Sequence, residues 1–263
     1  MNERALLRLA DLNMAEFWSE SAKWIPDTEV IESDGTVFIN SGIDFPGCSA
    51  VINLSEGADE NPADFIARSK AFFSGKKKGF SLLLRGHCDQ HIIQHCKDQK
   101  VFLVADEPGM VLDAKATGGA PPEAAVLRWV DSQMQLQSYR EVVAEAFTDL
   151  LFPREMSEAY FADARRVLNP FSVMAVIYLG GQPASAAMAM LSHGIAGVYW
   201  VGTSKEARGK GLAQYCVREV SNAAFDMGAR KVVLHASKFG APVYPKIGYR
   251  EFSNYPHFIC SSK

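Results

Sequence analysis

Thr203-Ser-Lys-Glu-Ala-Arg-Gly-Lys-Gly-Leu-Ala213 places two glycines and two cations, Arg208 and Lys210, directly ahead of a helical apolar pattern. From Leu212 apolar residues recur at Cys216, Val220, Ala223 and Met227, the spacing of one helix face, and Gly228 then stops the helix. Upstream, the β-branched and aromatic run 197–203 reads as a strand, and downstream 231–235, Lys-Val-Val-Leu-His, reads as another. The unit is strand, glycine-rich turn, helix, strand, so the quoted stretch stands at the N-terminus of a βαβ helix. There several backbone N–H groups lack partners, the helix dipole favours negative charge, and glycine lets the backbone approach an anion closely. Two phosphate motifs do not fit. GxxxxGK[ST] needs Ser or Thr where Gly211 stands, and GxGxxG needs a third glycine where Gln214 stands.

Outward from this unit, the chain divides near its middle. Residues 114–125, Ala-Lys-Ala-Thr-Gly-Gly-Ala-Pro-Pro-Glu-Ala-Ala, are poor in large apolar side chains and read as a linker. Behind it, 126–130 predicts a strand, 135–147 and 157–167 predict helices, and strands at 172–178 and 184–191 are joined through the hairpin signal Gly180-Gly181. Ahead of it, strands at 36–39, 50–54, 80–84 and 101–104 and helices at 62–73 and 89–96 make the first half mixed α and β.

With 263 residues, 48% of them hydrophobic, the chain can bury a large core. A formal net charge of −3 gives no basic field, so neither nucleic acid nor a membrane surface is an expected partner. The N-terminus lacks the apolar core of a leader peptide, and the five cysteines have no framework spacing. Both point to a cytoplasmic protein with reduced thiols.

The stretch does match R/Q-x-x-G-x-G/A, as Arg208-Gly209-Lys210-Gly211-Leu212-Ala213. Here the chain resembles the GNAT superfamily of acyl-CoA N-acyltransferases. The strand ending at Thr203 stands where the family has its coenzyme-binding strand. Downstream, 234–249 resembles the family's closing strand and short helix, with Tyr244-Pro-Lys-Ile-Gly248-Tyr249 in place of its Tyr-x-x-x-Gly-Phe ending. The resemblance spans 126–252 and implies an α/β fold with a central mixed sheet, flanked by helices and splayed open where the coenzyme enters.

What the resemblance implies for chemistry is acetyl-CoA as cosubstrate, no metal, and direct attack by a small-molecule or peptide amine. Backbone N–H groups of Arg208, Gly209, Gly211 and Ala213 would surround the pyrophosphate, with Leu212 inside the same turn and with Lys210 and the Arg208 guanidinium adding charge. Backbone in Val201 to Thr203 would hold the thioester oxygen, and Tyr244 would protonate the departing thiolate. The alternative for Tyr244 is simple packing between Val243 and Ile247, and Pro245 departs from the family's usual helix. The coenzyme-binding strand has no Asp or Glu between His193 and Thr203, so the general base stays open among His235, His193 and Glu145, with a core or rim role as the alternative for His235.

The first half resembles the degenerate GNAT-like domain that precedes the catalytic one in some bacterial relatives. The expected organisation is therefore two GNAT-like domains in tandem, each a mixed sheet flanked by helices: 1–113 without a coenzyme site, the linker 114–125, and the catalytic domain 126–263. At the equivalent turn, 55–64, the motif is missing and four carboxylates, Glu56, Asp59, Glu60 and Asp64, would repel a pyrophosphate. The cluster His87-Cys88-Asp-Gln-His91-Ile-Ile-Gln-His95-Cys96 permits metal ligation at helical spacing but reads as the polar face of a helix. Likewise 72–80, with Lys76-Lys77-Lys78, reads as a solvated helix end. Three function classes follow: an N-acetyltransferase, a sensor that binds acyl-CoA without turnover, and an aminoacyl transferase on a tandem fold.

Overall fold

Asn2 opens the first helix by accepting the Ala5 N–H at 2.9 Å, and α1 then runs Glu3–Ala22. Apolar Leu6, Ala10, Met14 and Phe17 on α1 are buried, as are polar Asp11 and Asn13. The computed structural model describes residues 1–56, 60–76 and 79–261. After α1 the first half continues as β1 (Glu29–Ser33), β2 (Thr36–Asn40), β3 (Ala50–Asn53), α2 (Pro62–Phe73), β4 (Phe80–Leu83), α3 (Gln90–Asp98) and β5 (Phe102–Leu112). The second half begins with β6 (Ala125–Trp129), α4 (Gln133–Phe147), α5 (Arg154–Tyr160), α6 (Ala164–Val167), β7 (Ser172–Leu179) and β8 (Gln182–Ser192). It ends with β9 (Ile195–Thr203), α7 (Leu212–Asp226), β10 (Val232–His235), a 3-10 turn (Tyr244–Ile247) and β11 (Arg250–Cys260).

The strands form one eleven-stranded sheet in the order β1-β2-β3-β4-β11-β5-β10-β9-β8-β7-β6. Two pairs are parallel, β3 with β4 and β9 with β10, and each is bridged by a helix, α2 and α7 respectively. The final strand of each half crosses over. β5 of the first half pairs with β10 of the second, and β11 of the second pairs with β4 of the first. β5 and β11 also pair with each other from Val111↔Arg250 to Phe102↔Ile259. The mixed sheets of the two halves are thus continuous. Residues 114–124, which hold no helix or strand, lie along α7, where Asn222 bonds both the N–H and the carbonyl of Ala116 at 2.9 and 3.0 Å.

Several elements depart from the sequence reading. α1, β1 and β11 were not expected. β5, expected to end at 104, runs through Pro108 and Gly109 to Leu112. The Pro108 carbonyl accepts the Ala236 N–H at 2.8 Å, and a Cβ on Gly109 would meet the Tyr255 ring at 2.6 Å, so both supposed breakers fit the strand's partners. The helix expected at 157–167 is two, because Asp163 starts α6 by accepting the Arg165 N–H at 3.0 Å. The stretch 72–80 is no solvated helix end: Phe73 and Phe80 are fully buried and stack at 4.4 Å, and Lys76 pairs with Glu29. Lys77 and Lys78 lie outside the described residues, as do Gly57, Ala58 and Asp59 of the acidic turn.

Where the halves meet, α1 brings a buried carboxylate to the sheet. Asp11 accepts the Tyr255 hydroxyl at 3.0 Å and bonds His87 Nε2 at 3.0 Å, with Arg85 Nη1 at 3.4 Å. Arg85 is clamped through Nε and Nη2 by Asp89, both at 2.9 Å. Burial opposes the Arg85 charge, but the hydrogen bond and charge of Asp89 outweigh it and raise its pKa. Removing one acceptor from such a network leaves buried donors unmet. Asp11→Ala is expected to lower the unfolding free energy by about 2 kcal/mol in urea titrations, while Glu32→Ala on the exposed strand β1 should change it little.

Candidate active site

The sheet opens between β9 and β10. They pair only over Ala196 to Val198 with Val232 to Leu234; β10 then ends at His235, while β9 runs on to Thr203 along β8. A bulge lies in that free stretch, since β9 has one residue more than β8 between Tyr199 and Gly202. Trp200, in the bulge, has φ +48°, and its carbonyl accepts the Tyr139 hydroxyl at 2.9 Å. For a large side chain that φ is an outlier held by its surroundings.

After Thr203 the chain is anchored from the α4 side. Glu145 Oε1 accepts the Lys205 N–H at 2.8 Å, and Asp149 pairs with Lys205 at 3.3 Å and Arg208 at 2.7 Å. Arg208 Nε also donates to the Thr203 carbonyl at 3.2 Å, and its N–H lies 3.4 Å from the Lys205 carbonyl, so its backbone donor is directed into the turn. Gly209 and Gly211 then take φ +76° and +74°. A Cβ on Gly209 would meet nothing within 4 Å, and one on Gly211 only the Pro122 side chain at 4.0 Å. The space over the turn is open.

Gly211 is the N-cap of α7 and brings no side-chain acceptor, and the first turn holds no acid. The first N–H bonded back into the helix is that of Tyr215, to the Gly211 carbonyl at 3.0 Å. Among the described residues, no acceptor faces the N–H groups of residues 209–214. Leu212 is buried in the core, Ala213 is half-buried, and Lys210 is exposed with no ion pair among the described residues. The equivalent helix of the first half is built the other way. Asn61 accepts the N–H groups of Ala63 and Asp64 at 2.9 and 3.4 Å, Pro62 has no N–H, and Asp64 adds negative charge. The N-terminus of α2 is satisfied; that of α7 is not.

Tyr244 starts the 3-10 turn that follows β10, and Pro245 sits at a first position where an N–H is not needed. Its ring is buried against Tyr249, with centroids 5.9 Å apart, and passes over Gly240, where a Cβ would meet it at 2.6 Å. Burial, and secondarily the carboxylate of Glu107, push the Tyr244 hydroxyl well above its usual pKa. No hydrogen-bond partner faces that hydroxyl among the described residues.

The three candidate bases fall in different places. Glu145 is occupied by the Lys205 N–H. His193 lies in the turn before β9, 4.0 Å from Glu16, at the far end of a nine-residue strand that is about 26 Å long. His235 ends β10 and stacks on Tyr255 at 3.9 Å, and burial pushes its imidazole down to about 4, so it is neutral but weakly basic at pH 7. Reasoning from the sequence missed Glu107 and Asp149. Glu107 follows Asp106 and precedes Pro108 on β5, and nothing in that order separates the two acids until the strand pairing is known. Asp149 has no local signal either, because its partners are 56 to 59 residues away.

Among the described residues, no three His, Cys, Asp or Glu side chains are placed to hold a metal ion, and no helix is long and apolar enough to cross a membrane. On α3, Ile92, Ile93 and Cys96 are buried, and His91 and His95 are half-buried.

Residues 136–249 match the profile of the Acetyltransferase (GNAT) family, which supports the GNAT superfamily assignment. The match takes in α4, the splayed strands, the 208–213 turn and Tyr244. Among solved structures, the chain is similar to a GCN5-related N-acetyltransferase from Kribbella flavida, with TM-score 0.72 and 16% identity over 92% of this chain and 93% of that one. It is also similar to a GCN5-related N-acetyltransferase from Sphaerobacter thermophilus, with TM-score 0.63 and 15% identity over 89% and 82%. A tandem GNAT protein from the clavulanic acid biosynthesis pathway aligns with TM-score 0.59 and 12% identity over 91% and 85%. At these identities the likeness is one of fold, and it extends over both halves. No curated protein matches the chain in sequence. The protein is thus a tandem GNAT fold, the architecture of acyltransferases.

Proposed function

We propose that the protein is an N-acetyltransferase moving the acetyl group of acetyl-CoA to a primary amine of a small-molecule or peptide acceptor. One observation carries the reading: six successive N–H groups, residues 209–214, without an acceptor at the N-terminus of α7, under open space and beside the splay of β9 from β10. A pyrophosphate fits such a cradle, because it offers several charged acceptors to donors already oriented toward it. Lys210 adds a cation, and Arg208, bridged to Asp149 and the Thr203 carbonyl, holds the turn in shape.

From this anchor the coenzyme follows the free stretch of β9, and its thioester is held by backbone at Val201 to Thr203. The amine nitrogen attacks the carbonyl carbon and the C–S bond breaks. Tyr244, kept protonated by burial, gives its hydroxyl proton to the departing sulfur. The second half, 126–263, binds the coenzyme. The first half, whose α2 terminus is already satisfied, shapes the acceptor side. An assay of thiol release from acetyl-CoA across a panel of primary amines tests this, with amine-dependent release as the expected result. Acetyl-CoA binding with no product across the panel would instead mark the chain as a sensor.

A further inference from the structure

Glu107 comes from the first half but stands at the site formed by the second. Beyond His235 the free edge of β5 begins: His235 pairs with Gly109, the Ala236 N–H bonds the Pro108 carbonyl at 2.8 Å, and Glu107 is the next residue out. In register Glu107 lies opposite Tyr255, so its side chain shares a sheet face with Tyr255 and, two residues along, with Gly109 and hence His235. Gly109 has no side chain where the Tyr255 ring lies, and His235 stacks on that ring. Glu107 is half-buried, and among the described residues no hydrogen bond or ion pair engages its carboxylate. Its charge is felt by Tyr244, whose hydroxyl is likewise unpartnered. The half-buried carboxylate has no ion-pair partner among the described residues, so an incoming ammonium group can meet it at the open end of the splay.

We propose that Glu107 is the general base of the reaction, receiving a proton from the acceptor's ammonium group across the open end of the splay from Tyr244; this rests on the acetyltransferase reading above. The steps balance. A Glu107 carboxylate oxygen takes one N–H proton from the ammonium, freeing the nitrogen lone pair. That pair forms the C–N bond at the thioester carbon, the C–S bond breaks, and the sulfur takes the Tyr244 proton. Amide and free thiol leave, a second amine proton and the Glu107 proton pass to water, and water returns one to Tyr244.

The groups on the surrounding elements suit this role. His235 is neutral, and Tyr199, Tyr244 and Tyr255 are held protonated. Asp11 and His87 are bonded to each other, with Arg85 clamped by Asp89 behind them, and Asp106 on the same strand accepts from Asn254 at 2.7 Å. The cations along β5, Lys231 and Arg250, are paired with Asp113, six residues and about 20 Å away. With no cation close by, burial pushes the Glu107 carboxyl up to about 7, a basicity suited to taking a proton at neutral pH.

The test measures acetyl-CoA turnover from pH 5.5 to 9 with two probe amines, benzylamine, an ammonium at neutral pH, and aniline, already neutral there. The full-length wild type, Glu107→Gln and Glu107→Asp are compared, with acetyl-CoA affinity measured for each by calorimetry. Wild-type kcat/KM for benzylamine should rise as pH passes about 7. Glu107→Gln should lower it roughly 10- to 100-fold and abolish that rise, leave aniline transfer within about threefold and keep the acetyl-CoA affinity, and Glu107→Asp should recover part of the loss. A Gln variant that keeps both rate and inflection, or that loses both amines equally, overturns the assignment while leaving the acetyltransferase reading intact. A wild type that binds acetyl-CoA yet acetylates neither this pair nor any amine of the wider panel defeats the acetyltransferase reading, and Glu107's role with it.

Discussion

Tyr244→Phe is expected to lower kcat by about 10²- to 10³-fold, the usual weight of a positioned proton donor, with acetyl-CoA affinity unchanged. The expectation follows from the packing of the ring. Tyr244 is buried against Tyr249 and over Gly240, so phenylalanine fills the same space and the fold is kept. Only the hydroxyl is lost, and no hydrogen bond within the described residues is lost with it. A purely structural tyrosine would show the reverse pattern, with a small change in rate. Steady-state kinetics and calorimetry on one preparation separate the two, and equal kcat values would remove Tyr244 from the chemistry.

Gly211→Val is expected to weaken acetyl-CoA binding about 100-fold or more while lowering the melting temperature by only a few degrees. At φ +74° a β-branched residue is strained by about 1–3 kcal/mol, so the turn will shift to relieve it. A shift re-aims the N–H groups of residues 209–214, and each charge-assisted bond lost to a phosphate costs about 1.5–3 kcal/mol. Two such bonds already account for the predicted loss. The hairpin residue Gly180, at φ +58° with open space around it, is the control. Gly180→Val carries comparable strain and should leave binding unchanged.

Much of the second half could be read from its sequence, because its signals are local. The period of α7, the stop at Gly228, the Gly180-Gly181 hairpin and the glycines at 209 and 211 each specify a backbone conformation within a few residues, and φ at Gly180, Gly181, Gly209, Gly211 and Gly228 is positive in each case. The crossing of β5 and β11 was not legible. Their pairing joins residues up to about 157 positions apart, and neither strand has alternation strong enough to outweigh Pro108, Gly109 and Pro256. α1 went unread for a related reason: its buried side carries Asp11 and Asn13, whose partners Arg85, His87, Tyr255, Tyr199 and Ser192 come from elsewhere in the fold. Without β5 in place, Glu107 could not be set just beyond the end of β10. A base sought on β9, β10 or α4 left out β5, the strand from the first half that completes the sheet of the second.

The contrast between the two helix N-termini is the centre of this account, and the stoichiometry of coenzyme binding tests it most directly. Calorimetric titration of the full chain with acetyl-CoA should give one site per chain, retained in Asn61→Ala at the α2 terminus and lost in Gly211→Val at the α7 terminus. Two sites per chain, no binding at all, or undiminished affinity in Gly211→Val would contradict it.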